Sequence, residues 1–253
     1  MLLCADPVKK AHLGRETAAA WRSGQLAPEI WLEPPARPAR PDRPELLAPR
    51  HMPRRRAAGS EANRIALLHA LAHIEFNAID LAWDLIARFG PLEPPRSFFD
   101  DWVDVADDEG RHFLMLEERL GELGAAYGDL PAHGGLWESA EVTAHDILAR
   151  LAIVPLVLEA RGLDVTPATI ENLRAAGDGR SAGLLDIILA DEITHVAAGV
   201  KWFQHFCAGS ALHPETAFPR LVRTYFRGRI KEPFNDRARQ AAGFPQIYYS
   251  PRL

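Results

Sequence analysis

Asp108-Glu109-Gly110-Arg111-His112 and Asp191-Glu192-Ile193-Thr194-His195 are two copies of one pattern, Asp-Glu-x-x-His, each set inside an apolar segment of helical period. Residues three apart on an α-helix share a face, with Cβ atoms about 5–6 Å apart. The Glu and His of each copy can therefore point at one ion. A single copy is weak evidence, because Glu and His are ordinary helix-surface residues. Each copy, however, also follows a lone Glu on a preceding apolar helix: Glu75 lies 34 residues before Glu109, and Glu159 lies 33 before Glu192.

The chain thus carries Glu, a helix-pair of residues, then Glu-x-x-His, twice over. Helical bundles that hold two iron or manganese ions use this set, one Glu from each of two helices and Glu-x-x-His from each of the other two. Four carboxylates balance two divalent cations when the imidazoles are neutral. Without metal, the same four groups would crowd like charges into an apolar interior, which is costly. The pattern therefore predicts a metal site built from Glu75, Glu109, His112, Glu159, Glu192 and His195. Phe113, Leu116, Ile188 and Leu189 set these residues on or beside apolar stripes, which argues against plain surface pairs. Metal-bound His usually donates its second ring N–H to a carboxylate or carbonyl. Asp108 and Asp191 are candidates for that role around the opposite pair, with Arg111 holding one of them.

The rest of the chain fits an all-α architecture. Ser60 reads as an N-cap, and Ile65, Leu68, Ala72, Phe76, Ile79 and Trp83 step at three and four as far as Phe89. Gly90-Pro91 stops that helix, and the next runs from about Ser97 to Leu123. Glu75 and Glu109 stand at similar distances from the turn, so an antiparallel hairpin brings them level. Residues 127–135 read as the crossover connection. A third helix is expected from Ser139 to Arg161 with a kink at Pro155. Gly162 and Pro167 should break it, with Thr166-Pro167 starting a short helix that ends at Gly177. A fourth helix is expected from Ser181 to Cys207, then shorter ones over 214–227 and 233–241.

Upstream, residues 1–25 hold one mildly amphipathic helix. Pro34 to Pro44 cannot be helix interior and read as an extended Pro/Arg-rich arm. The expected organisation is an N-terminal helix and arm (1–57), a bundle (58–243) and a tail (244–253). Arg54-Arg55-Arg56 reads as a solvated charge run. His69 and His73 are read as satisfied or exposed, Asp146 and Tyr127 as lesser pocket candidates, and Trp83, Trp102 and Trp202 as core.

Composition is ordinary for a globular chain, at 47% hydrophobic, 25% charged and net charge −5. Two cysteines, Cys4 and Cys207, exclude a disulfide framework and a four-cysteine metal site. Cys4 has no basic or apolar leader before it, so no secretory or lipoprotein signal is read, and a soluble cytoplasmic protein is the expectation.

Asp108 to His112 matches the Asp-Glu-x-Arg-His signature of ferritin-like carboxylate-bridged di-iron enzymes, and Asp191 to His195 matches its looser second copy. Over about residues 30–245 the chain resembles an uncharacterised bacterial ferritin-like family, distantly similar to the tRNA hydroxylase of that superfamily. The resemblance rests on 69–83 (HALAHIEFNAIDLAW), 127–137 (YGDLPAHGGLW), 151–167 (LAIVPLVLEARGLDVTP) and 191–203 (DEITHVAAGVKWF). It implies a four-helix bundle with a crossover connection, the same six ligands, and a dinuclear, O₂-activating oxidoreductase that hydroxylates or oxidises an organic substrate. Two iron ions are the implied cofactor. Manganese suits the same donors, so a manganese catalase or ferroxidase stands as an alternative. Another is an RNA-associated protein using Arg220, Arg223, Arg227, Arg229 and Lys231. Partners compatible with this reading are a small-molecule or RNA-linked substrate, an electron-donor protein and a second copy in a homodimer; no membrane is expected.

Overall fold

The Ser60 hydroxyl accepts a hydrogen bond from the Asn63 amide at 3.3 Å, starting the helix that carries Glu75 and satisfying a first-turn donor that has no partner inside the helix. The computed structural model describes residues 1–28, 33–52 and 59–249. Among these the chain is all-α. The helices are α1 (Pro7–Arg22), α2 (Glu61–Phe89), α3 (Arg96–Glu122), α4 (Gly135–Val142), α5 (Ile147–Ile153), α6 (Ala160–Ala175), α7 (Gly179–Gly209), α8 (Pro214–Tyr225), α9 (Asp236–Ala241) and α10 (Gln246–Tyr249). A π-helix over Val154–Glu159 joins α5 to α6. No strand occurs among the described residues, only an isolated bridge between Leu46 and Ala132. Arg54-Arg55-Arg56 lies outside the described residues.

Packing divides the chain into two units, Met1–Trp137 with Asn172–Leu184, and Glu138–Glu171 with Leu185–Leu253. Each unit holds one copy of the repeated pattern of a Glu followed by Glu-x-x-His.

In the first unit α2 and α3 form a hairpin and α1 lies against α3. Leu68, Ala72, Phe76, Ile79 and Trp83 of α2 are buried, as are Phe98, Trp102, Phe113, Leu116 and Leu120 of α3. Each large side chain among them contributes about 1.5–3 kcal/mol by leaving water. By length and composition Glu61–Leu92 could cross a membrane, but 67% of its apolar window is buried inside the structure, as in a core helix. α1 is locked to α2 by an ion pair with no exposure on either side: Lys10 Nζ lies 2.7 and 2.8 Å from the Asp80 oxygens and also donates to the Ala39 carbonyl at 2.9 Å. Arg40 donates to Asn77 Oδ1 at 2.8 Å, and across the isolated bridge the Leu47 amide donates to the Ala132 carbonyl at 2.8 Å while the Ala132 amide donates to the Glu45 carbonyl at 2.9 Å. The Pro-rich arm is thereby stitched to this unit.

The second unit departs from expectation where the prolines lie. The third helix is not continuous from Ser139: α4 ends at Val142, and Asp146 caps α5, accepting from the Leu148 and Ala149 amides at 2.8 and 3.2 Å. Asp146 is thus a helix cap. Pro155 leaves the Leu151 carbonyl without its usual donor, and the chain slips to π spacing, with the Ala160 amide donating to the Pro155 carbonyl. Gly162 and Pro167, expected to break the chain, instead lie within α6, and no short helix starts at Thr166. The carbonyl that Pro167 cannot serve belongs to Leu163, and Asn235 Nδ2 donates to it at 3.0 Å. A side chain remote in sequence replaces the missing amide, so the helix continues.

Residues 244–249, expected as a tail, fold back. Phe244, Tyr248 and Tyr249 are buried, and Tyr248 stacks on Phe218 with centroids 4.9 Å apart. Arg239, buried, pairs with Asp164 at 2.7 Å beneath the rings of Phe234, Phe244 and Tyr249.

Candidate metal centre

Glu75 lies 14 residues before the end of α2 and Glu109 lies 13 after the start of α3, so the hairpin sets them level. Both carboxylates and His112 are at least 96% buried. One ligand atom from each of the three falls within 4.8 Å of the others. His112 Nδ1 lies 3.2 Å from Glu75 Oε2 and 3.7 Å from Glu109 Oε2. A single nitrogen thus faces the point where two carboxylates converge. Burial, reinforced by the charge of Glu109, pushes the Glu75 acid up to about 8, while the bond to His112 opposes the rise. A divalent cation would take the place of that proton and satisfy carboxylate and imidazole together. The donors, oxygen with imidazole nitrogen, suit iron or manganese. This buried Glu/His group is able to hold a metal ion.

The second unit repeats the local geometry. On α7, His195 Nδ1 lies 3.8 Å from Glu192 Oε2, against 3.7 Å for the first pair, so the repeat in sequence is also a repeat in geometry. His195 is fully buried and the Glu192 side chain is 12% exposed. Glu159 is the last residue of the π-helix and half-buried. A Cβ on Gly199 would stand 2.6 Å from Pro155 Cβ, so only glycine lets α7 approach the π-helix there. That contact lies one helical turn from His195 and one from Glu159. Glycine has a matching use in the first motif, where a Cβ on Gly110 would meet Arg15 Cγ at 3.1 Å and the Ala11 carbonyl at 3.2 Å. At Gly110, inside the first motif, and at Gly199, one turn past the second, the close approach of a neighbouring segment explains the glycine. Sequence reading missed both roles, although an unpaired Gly inside a strong helix is the available signal.

Of the outer residues, Arg111 donates to Asp108 at 2.6 Å, and the Thr194 hydroxyl donates to the Asp191 carbonyl at 2.7 Å. His69 and His73 are satisfied elsewhere. His69 Nε2 accepts from the Gly128 and Leu130 amides at 2.9 and 3.3 Å, and His73 meets the Tyr127 hydroxyl at 2.9 Å and the His133 carbonyl at 3.1 Å. The two histidines and Tyr127 therefore pin the segment after α3 onto α2.

A model of a family of proteins of unknown function, DUF455, matches residues 3–250. The chain belongs to the DUF455 family. An uncharacterised protein of Haemophilus influenzae is 45% identical over 211 residues, covering 81% of this chain and 73% of its own. No solved structure matches. The DUF455 match takes in both copies of the ligand pattern and the Pro-rich arm.

Proposed function

We propose that this chain is a dinuclear non-haem metal protein whose ligands are Glu75, Glu109, His112, Glu159, Glu192 and His195, and that it oxidises an organic substrate. The observation that carries this reading is the repeated Nδ1–Oε2 geometry, 3.7 Å in one motif and 3.8 Å in the other. The buried Glu75 and Glu109 support it. The ferritin-like resemblance favours iron, and two such ions, when bound, would supply the reduction of O₂ coupled to substrate oxidation. The chain's own residues would hold the ions, neutralise them with four carboxylates, and keep water out with Phe76, Phe113 and Leu116. Asp108 and Asp191 would orient the imidazoles, with Arg111 steadying Asp108.

Metal analysis of protein expressed with ample iron and purified without added metal tests this. About two irons per chain, with an optical band lost on reduction and restored in air, is the expected result. Two manganese ions would favour peroxide chemistry. A folded protein that binds neither metal would overturn the reading.

A further inference from the structure

The C-terminal region of the second unit holds a cleft of about 520 Å³ that the metal chemistry does not use. Arg223, Arg229 and Lys231 line it together with Phe226, Phe234 and Tyr249. None of these three cations makes an ion pair among the described residues, and Glu232, which also lines the cleft, pairs with none of them. Between Glu215 and Glu232 the sequence has five cations and no carboxylate, in a chain of net charge −5.

The apolar wall is built rather than incidental. Phe234 and Tyr249 meet edge to face at 5.1 Å, and both rest on Arg239, itself 3% exposed and bound to Asp164. Phe226 is held differently. Its ring tip lies 2.6 Å from where a Cβ on residue 228 would stand, so glycine at 228 makes room for that ring. Unpaired cations beside a half-buried ring call for a ligand with a concentrated negative charge and a flat apolar body. The volume is that of a drug-sized ligand and too large for a bare oxyanion.

We infer that this cleft binds a nucleoside phosphate, with Arg223, Arg229 and Lys231 taking the phosphate and Phe226 stacking on the base. Arginine presents the planar fork that phosphate oxygens accept in pairs, and base–aromatic stacking tolerates any base. Two sources share this chemistry, a free mononucleotide and one residue of a single strand.

Calorimetric titration of the full chain with AMP, inorganic phosphate and a short single-stranded RNA tests the inference. AMP is expected to bind once per chain and at least ten-fold tighter than inorganic phosphate. Arg223→Ala and Arg229→Ala should each weaken AMP about ten-fold or more. Phe226→Leu should remove the advantage of AMP over phosphate while melting temperature holds, a split that general loss of structure would not produce. RNA binding tighter than AMP, with a steep salt dependence, would identify a strand as the source; RNA binding no tighter than AMP would identify the free nucleotide. No AMP binding by the unaltered chain, phosphate binding as tight as AMP, or AMP binding unchanged in both arginine variants would overturn the inference.

Discussion

The two copies of the ligand pattern sit on unlike scaffolds. In the first unit Glu75 and Glu109 stand mid-way along two unbroken helices of 29 and 27 residues, both carboxylates buried. In the second, Glu159 ends a π-helix forced by Pro155, and both Glu159 and Glu192 are half-buried. Rigid, dry surroundings fix the first set, whereas the second has a carboxylate on a segment with irregular hydrogen bonding. π-bulges are often found at functional sites. Under the proposed dinuclear reading, the first half would anchor the metals and the second would adjust to them.

Loss of the proposed ligands should expose this asymmetry most strongly. Glu109→Ala is expected to cut metal affinity by more than the roughly 10–100-fold that loss of an outer partner costs. Glu159→Ala should fall inside that range. Metal content after dialysis against a graded chelator would show it, and equal losses would remove the distinction.

Each unit also buries an ion pair, and the pairs should differ in worth. Asp80→Ala leaves the fully buried Lys10 with the Ala39 carbonyl and a single aromatic face, that of Phe76, and a broken buried pair costs about 3–5 kcal/mol. Asp164→Ala leaves Arg239 against three aromatic faces, so its cost should lie at or below the lower end of that range. Denaturant unfolding of the two variants decides the order.

The glycine contacts give a smaller contrast. Gly199→Ala must displace a proline ring from 2.6 Å and should cost about 1–3 kcal/mol, as overpacking does. Gly110→Ala meets an arginine stem and a carbonyl at 3.1–3.2 Å, which can shift by tenths of an ångström, and should cost less than about 1 kcal/mol. Melting temperatures of the two variants compare them directly.

The mildest effect concerns alkaline pH and is specific to the second unit. Burial pushes the Cys207 thiol up to about 11 from its ordinary 9. The folded chain therefore keeps a proton that the unfolded chain releases. This contribution is full below pH 9 and lost as pH rises through about 11. Cys207→Ala should flatten the fall in stability over that window, measured by denaturant midpoint at several pH values.

Much of the fold was legible because periodicity and capping are local. Ser60, Gly90-Pro91 and Pro94-Pro95 fall within one residue or so of the helix ends they mark. What escaped was the effect of distant partners on local breakers. Pro167 stops a helix by every local rule, yet Asn235, 68 residues later, supplies the absent donor. The folded C-terminal segment was missed for the same reason, since Phe244, Tyr248 and Tyr249 are buried by partners that no short window contains. At the candidate centre, the spacing of Glu75, Glu109 and His112 anticipated their grouping. The tight helix approaches at Gly110 and Gly199 depend on which helix lies alongside, and spacing does not encode that.

The first unit is discontinuous in sequence. Asp178, which receives Arg119 at 3.1 Å and Arg64 at 3.4 Å, arrives only after residues 138–171 of the other unit have been made. On the ribosome, then, the first unit has all its own residues only once the whole of α6 and the first residues of α7 have emerged. Ending the gene after residue 137 would strip the Arg64 and Arg119 side chains of that carboxylate, so no single cut in the chain yields the first unit with all of its own residues.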